Sequence, residues 1–130
     1  MLHDSIVVLK IHRISNYLSQ FKHISCHTAF DFESAFTTVA VKEGSSDEVH
    51  VDWNDQGITW VLPIGDWEGG NMVIPRLRME LPVRSGELLG FWANLLAHYS
   101  KPVKSGKRVV ITMFTCRNVF SNAVLYARLN

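Results

Sequence analysis

Thr37-Thr38-Val39-Ala40-Val41, then Glu43-Gly44-Ser45-Ser46-Asp47-Glu48, then Val49-His50-Val51-Asp52-Trp53: this stretch sets the architecture. Two runs rich in β-branched residues flank a polar segment of turn formers, the pattern of strand, turn, strand. The second run also carries chemistry. Successive side chains of a strand point to opposite faces, so His50 and Asp52 share a face while Val51 points away. An imidazole and a carboxylate so placed can grip one ion.

Toward the C-terminus the same texture repeats. Ile58 to Ile64 reads as a strand with Pro63 marking an edge or bend, and Gly65-Asp66-Trp67-Glu68-Gly69-Gly70 as a turn. Asn71 to Ile74 follows and Pro75 ends it. Arg78 to Val83, Glu87 to Trp92 and Ala97 to Lys101 are further strands, with Arg84-Ser85-Gly86 as a turn. A loop over Val103-Lys104-Ser105-Gly106-Lys107 precedes the last strand, Arg108 to Thr115. Short strands separated by turn signals predict an antiparallel sandwich or barrel, and about eight of them suit a jelly roll. In such a roll the second and seventh strands lie side by side, which would carry His98 to His50 and Asp52. Toward the N-terminus, Ile6, Leu9, Ile11, Ile14, Leu18 and Phe21 recur at mostly helical spacing, predicting a helix over 5–22, capped by Asp4 or Ser5, with one face on a sheet. The fold class expected is mainly β with an N-terminal helix, a double-stranded β-helix (jelly roll, cupin-like).

Two neutral imidazoles and one carboxylate, with neighbouring coordination positions left open, are the facial triad of non-haem iron(II) oxygenases. His50, Asp52 and His98 are therefore candidate metal ligands. Arg108 follows His98, and its permanently charged guanidinium is suited to bidentate binding of a carboxylate. Singly, each residue has a plain structural reading: a surface pair, a satisfied core histidine, the start of a strand. Their combination points to a metal site. Trp53, Asn54 and Asp55 either line a substrate mouth, with Trp53 stacking on a flipped base and Asn54 reading its edge, or form an ordinary turn beside a sandwich aromatic, the plainer reading. Arg76 and Arg78 alternate on a predicted strand and, with Arg84, Lys101, Lys104 and Lys107, make either a basic rim for phosphates or a solvated charged face; the second is preferred. His3, His12, His23 and His27 lack carboxylate partners at ligand spacing and are assigned no role.

The 130 residues predict one domain, 1–130, with a helical lead-in at about 1–35 and a jelly-roll core at about 36–116. A hydrophobic fraction of 47% with 19% charged residues describes a globular chain, not a disordered one. The net charge of +1 supplies no strong field toward nucleic acid or acidic membranes. Cys26 and Cys116 make neither a disulfide framework nor a zinc site, and with no convincing signal peptide they suggest an intracellular setting, nuclear or cytoplasmic. The apolar run Ile6-Val7-Val8-Leu9 is too short to span a membrane, so no membrane partner is expected.

His50-Val51-Asp52, Gly65-Asp66-Trp67-Glu68-Gly69-Gly70-Asn71-Met72-Val73-Ile74-Pro75, Ser85-Gly86-Glu87-Leu88-Leu89, His98 and Gly106-Lys107-Arg108 together resemble the iron(II)/2-oxoglutarate dioxygenases of double-stranded β-helix fold, most of all the TET/JBP type and its compact fungal branch. The resemblance covers roughly residues 36–116. It implies Fe(II), 2-oxoglutarate and O2 as cofactor and co-substrates, His50, Asp52 and His98 as iron ligands, and Arg108 as the clamp for the far carboxylate of 2-oxoglutarate. Relatives often place Ser or Thr two residues after that Arg; Val110 stands there, and Thr112, on the same strand face, is the substitute. The family oxidises the methyl group of 5-methylcytosine or thymine, which implies DNA or another methylated nucleic acid as partner. The Glu-Gly-Gly turn and following Pro also occur in prolyl hydroxylase relatives. A chain this short implies either a small, single-stranded or peptide substrate, or an oligomer or accessory partner that completes the surface.

Overall fold

The computed structural model describes residues 36–129. The helix expected over 5–22, the other four histidines and Cys26 lie outside the described residues. Within them the chain is mainly β: β1 (Thr38–Glu43), β2 (Thr59–Gly69), β3 (Met72–Ile74), a 3-10 turn (Pro75–Leu77), β4 (Met79–Leu81), β5 (Leu89–Phe91), β6 (Tyr99–Ser100), β7 (Val103–Phe114) and a C-terminal helix α1 (Arg117–Leu129). All pairings are antiparallel, in a four-stranded sheet β1-β7-β2-β5 and a three-stranded sheet β4-β3-β6.

The core lies between the sheets. Val61 and Phe91 from one, Met72 and Ile74 from the other, and Ala93 are buried together, with Leu81, Leu89 and Val110 packed against them. Alternation sorts the faces as the strand period requires: on β2, Thr59, Val61 and Pro63 are buried while Trp60 and Leu62 are half-exposed. The β7 face that carries Arg108, Val110 and Thr112 is the inner one, because Val61 and Pro63 pair with Thr112 and Val110. Pro63 sits just where β2 loses its β5 neighbour, whose pairing ends at Val61. A residue without an N–H is tolerated there.

Several expectations are corrected. Seven strands, not eight, are present among the described residues, because Val49 to Trp53 is not a strand. It makes one antiparallel bridge, His50 to His98, and then turns at Trp53 and Asn54. All but Gly70 of the supposed turn Gly65–Gly70, and the supposed loop Val103–Lys107, are strand, paired with Gly65 opposite Arg108, Asp66 opposite Lys107, Trp67 opposite Gly106, Glu68 opposite Ser105 and Gly69 opposite Val103. Glycine-rich, polar composition reads locally as turn, but pairing with a distant segment satisfies the backbone and overrides it. Arg76 and Arg78 share no strand face: Arg76 lies in the 3-10 turn and Arg78 is its left-handed cap, φ +52. Helix α1, beginning directly after the Asp55–Cys116 bridge, was not anticipated.

Gly106 makes the long β2–β7 ribbon possible. It has φ +80, and a Cβ there would lie 2.2 Å from the Asp66 carbonyl oxygen across the pair. Gly106→Ala combines a left-handed strain of about 1–3 kcal/mol with that clash, and we expect a clear fall in melting temperature. Unchanged thermal unfolding of this variant would mean the ribbon contributes little to global stability.

Candidate metal centre

His50 and His98 meet through the backbone before their side chains meet. His50 N–H donates to the His98 carbonyl and His98 N–H to the His50 carbonyl, each at 3.0 Å, the reciprocal pair of an antiparallel ladder. Asp52 N–H donates to the Ala93 carbonyl at 3.0 Å, which fixes the segment on the same neighbour. Side chains of directly opposed residues stand on one face, so both rings and the Asp52 carboxylate project into a common cleft. One ligand atom from each of His50, Asp52 and His98 lies within 4.8 Å of the other two.

The two imidazoles are held in the same way. His50 Nδ1 lies 2.8 Å from the Glu48 carbonyl oxygen and His98 Nδ1 2.8 Å from the Leu96 carbonyl oxygen. A carbonyl only accepts, so each Nδ1 carries the hydrogen and each Nε2 keeps its lone pair when the ring is neutral. Both Nε2 atoms face Asp52, at 3.7 Å from Oδ1 for His50 and 3.4 Å from Oδ2 for His98. These separations exceed the ~2.8 Å of a charge-assisted hydrogen bond. Ligands about 2.1 Å from a six-coordinate ion stand about 3 Å apart, so sharing one requires the three side chains to draw together from separations of up to 4.8 Å. His98 is buried, 5% exposed, with its ring edge-on to Phe91 at 4.8 Å; His50 and Asp52 stand nearer to solvent. Access is therefore from one side.

The charges are coupled. The His98 hydrogen bond foremost, with the His98 and His50 charges, outweighs burial and holds the Asp52 carboxyl below the usual carboxylate range. For His98, burial is the largest single influence and acts downward, but the Asp52 bond, the Leu96 carbonyl and the charges of Asp52 and Asp55 together carry it above an ordinary imidazole. A bound cation competes with that proton. Divalent-metal affinity, followed by titration between about pH 6 and 8, should therefore weaken on acidification from a higher pH than a free imidazole would give. Without metal the sign reverses: a raised His98 and a lowered Asp52 mean their pair stabilises the fold between the two titrations. That contribution is lost as pH rises through the His98 value or falls through the Asp52 value. A pH-independent metal affinity would contradict this assignment.

The cleft runs between the sheets from the triad to Arg108. Thr59, Val61, Met72, Phe91 and Val110 wall it, and Thr112 lies in it on the same β7 face as Arg108. Arg108 is 3% exposed. Its Nη1 donates to the Gly44 carbonyl at 2.9 Å, its Cζ lies 5.7 Å from the Trp67 ring centroid, and its buried Nε has no hydrogen-bond partner. Among the described residues no carboxylate pairs with it, and burial depresses its basicity. A buried cation without a counter-ion is costly unless an anion completes it. Gly70, φ +69, lets the chain pass that close: a Cβ there would stand 3.2 Å from Arg108 Cδ and 3.2 Å from Trp67 Nε1.

Trp53, Asn54 and Asp55 part company. Trp53 is 71% exposed and outside the cleft lining, and Asn54 is exposed, its carbonyl accepting from Arg117 N–H at 2.7 Å. Asp55 is buried and accepts from Thr59 Oγ1 at 2.6 Å, and burial raises its pKa. Sequence reading missed Lys42, Gly44, Ser46, Tyr99 and Ser100, which also line the cleft. Only the pairing of β1 with β7, which sets Lys42 opposite Val110, could have signalled the first of them.

No protein-family model and no curated protein matches the chain. Among solved structures it is similar to NgTET1 in complex with 5mC DNA, with a TM-score of 0.64 and 14% identity over 91% of this chain and 56% of that one. It also matches the viral collagen prolyl hydroxylase vCPH from Paramecium Bursaria Chlorella virus-1, with a TM-score of 0.47 and 16% identity over 80% of this chain and 66% of that one. The chain thus spans a little over half the length of the TET structure. The likeness to that structure is one of fold: the chain shares the fold of the TET structure, and its His-Asp-His cluster lies in the cleft between the sheets.

Proposed function

We propose that this chain is an iron(II)- and 2-oxoglutarate-dependent dioxygenase that hydroxylates a C–H bond, and that its sheets form a compact double-stranded β-helix. The observation that carries the reading is the convergence of His50, Asp52 and His98 with both Nδ1 atoms already bonded to carbonyls, which leaves two Nε2 atoms and a carboxylate free for one ion. The donor set fits iron(II), since nitrogen and carboxylate ligands on one side leave open positions opposite. The unpartnered Nε of Arg108 fits a carboxylate at the other end of the cleft.

In this reading the two imidazoles and Asp52 hold the metal, and the Glu48 and Leu96 carbonyls fix the rings in the ligating tautomer. Arg108 orients the far carboxylate of 2-oxoglutarate, with the Thr112 hydroxyl on the same face as a second contact. Val61, Met72 and Phe91 keep the cleft wall apolar and so limit stray water. When bound, iron(II) with 2-oxoglutarate and O2 supplies the oxidising power for C–H hydroxylation, with succinate and carbon dioxide as co-products. No side chain needs to act as acid or base.

The substrate reading is the methyl group of a modified nucleobase such as 5-methylcytosine in DNA. Exposed Trp53, next to Asp52 in the chain, supports it, since an aromatic face can stack on an extruded base. DNA as partner, a nuclear or cytoplasmic setting and a single domain go with this reading. The test is succinate release, with the product analysed by mass spectrometry, across oligonucleotides carrying modified bases and a panel of peptides. Turnover confined to peptides or small molecules would move the chain to a protein or metabolite hydroxylase. Metal or 2-oxoglutarate binding that is absent altogether would leave a non-catalytic jelly-roll binding module.

A further inference from the structure

Lys42 lies opposite Val110 in the β1–β7 register, so its side chain leaves the sheet on the same face as Arg108, Val110 and Thr112. It lines the cleft those residues line. Its neighbours differ from those of other lysines near the site. Lys101 pairs with Glu80 at 2.7 Å and Lys107 with Glu43 at 3.6 Å, whereas Lys42 Nζ donates at 2.7 Å to a neutral hydroxyl, Ser46 Oγ. Glu43 cannot serve it, being the next residue on the strand and so on the other face. Asp47 and Glu48 share a separate surface hollow with Lys42, but neither lies within ion-pair distance of it.

The segment carrying Ser46 is stapled to the Arg108 end of the cleft. Gly44 N–H donates to the Arg108 carbonyl at 2.8 Å while Arg108 Nη1 donates to the Gly44 carbonyl at 2.9 Å. Ser46 N–H donates to Ser100 Oγ at 2.7 Å and Ser100 N–H to the Ser46 carbonyl at 2.8 Å. Lys42 and Arg108 are thus joined through one short, pinned loop. The only carboxylate among the cleft's lining residues is Asp52, at the triad. With a divalent ion on the triad, the fixed charges of the cleft sum to a clear positive excess, which favours a dianion over a monoanion.

We propose that Lys42 is a second cation for the far carboxylate of the bound oxoacid, a specificity residue that selects dicarboxylates. It adds charge beside the Arg108 and Thr112 contacts, on the same face of the sheet. The inference rests on the co-substrate reading above. A flexible ammonium beside a planar guanidinium divides the work: Arg108 orients the carboxylate plane and Lys42 adds charge without fixed geometry.

The test is equilibrium binding to protein loaded with zinc(II), by calorimetry, for wild type, Lys42→Met and Lys42→Arg. The probes are 2-oxoglutarate and 2-oxopentanoate, which has the same carbon chain but no far carboxylate. Lys42→Met should weaken 2-oxoglutarate about tenfold and leave 2-oxopentanoate unchanged, and Lys42→Arg should recover most of the loss. Because Lys42 is exposed, the fold should survive, which the melting temperature checks. If wild type discriminates the two ligands and Lys42→Met does so equally well, the proposal falls while the co-substrate reading stands. Wild type that binds zinc but neither oxoacid overturns both.

Discussion

Replacing His98 by alanine is expected to abolish 2-oxoglutarate turnover and to weaken divalent-metal binding by more than about 100-fold. Loss of a partner behind a ligand already costs about 10- to 100-fold, and here the ligand itself goes. His98 is the buried member of the triad, and without it His50 is the one imidazole left beside Asp52 among the described residues, too few nitrogen donors to hold the ion as before. The change also removes a ring packed edge-on to Phe91 at 4.8 Å, so part of the effect would be a loss of stability typical of emptied cores, about 2–4 kcal/mol. His98→Gln separates the two: it keeps most of the volume and should restore the melting temperature without restoring turnover. Succinate release unchanged in His98→Ala would exclude the residue as a ligand, whatever the geometry.

Arg108→Lys is the second large effect, and its signature is selectivity. Lysine keeps the charge but loses the planar fork, the bond from Nη1 to the Gly44 carbonyl and the contact with the Trp67 face. A hydrogen bond to a charged group contributes about 1.5–3 kcal/mol, so 2-oxoglutarate affinity should fall about 10- to 100-fold. Metal affinity, measured on the same preparation without co-substrate, should not change, because no metal ligand contacts Arg108 among the hydrogen bonds and ion pairs of the triad. Equal weakening of both would make Arg108 a structural residue that supports the Gly44 loop, and the carboxylate reading of the cleft would lose its anchor.

Much of the site was legible beforehand because its chemistry is local. His50-Val51-Asp52 needs only strand alternation to put both groups on one face, and the cleft holds His50 and Asp52 but not Val51. The neighbour relation with His98 followed from jelly-roll topology and is met by one backbone bridge, although the expected strand around His50 is absent. Asp55 was harder: next to Asn54 it reads as turn or mouth, and only its burial against Thr59 tells its position. Lys42 was not legible, since nothing near it in the chain distinguishes it from any surface lysine.

The ribbon shows where local reading stops. Gly65–Gly70 and Val103–Lys107 carry the composition of turns, and a short window offers no other inference. Paired across the sheet they become the outer halves of the two longest strands, with Gly106 at positive φ where a side chain would strike the Asp66 carbonyl. The amino-acid order by itself determined the residue types at the candidate metal site, the face each strand offers and the mainly β character, because these depend on side-chain chemistry and on a period of about two residues. Tertiary structure alone decided which segments pair, how far each strand runs and which cations share the cleft. Those outcomes depend on register between parts of the chain far apart in sequence, where hydrogen bonds and packing gained on contact outweigh local preference.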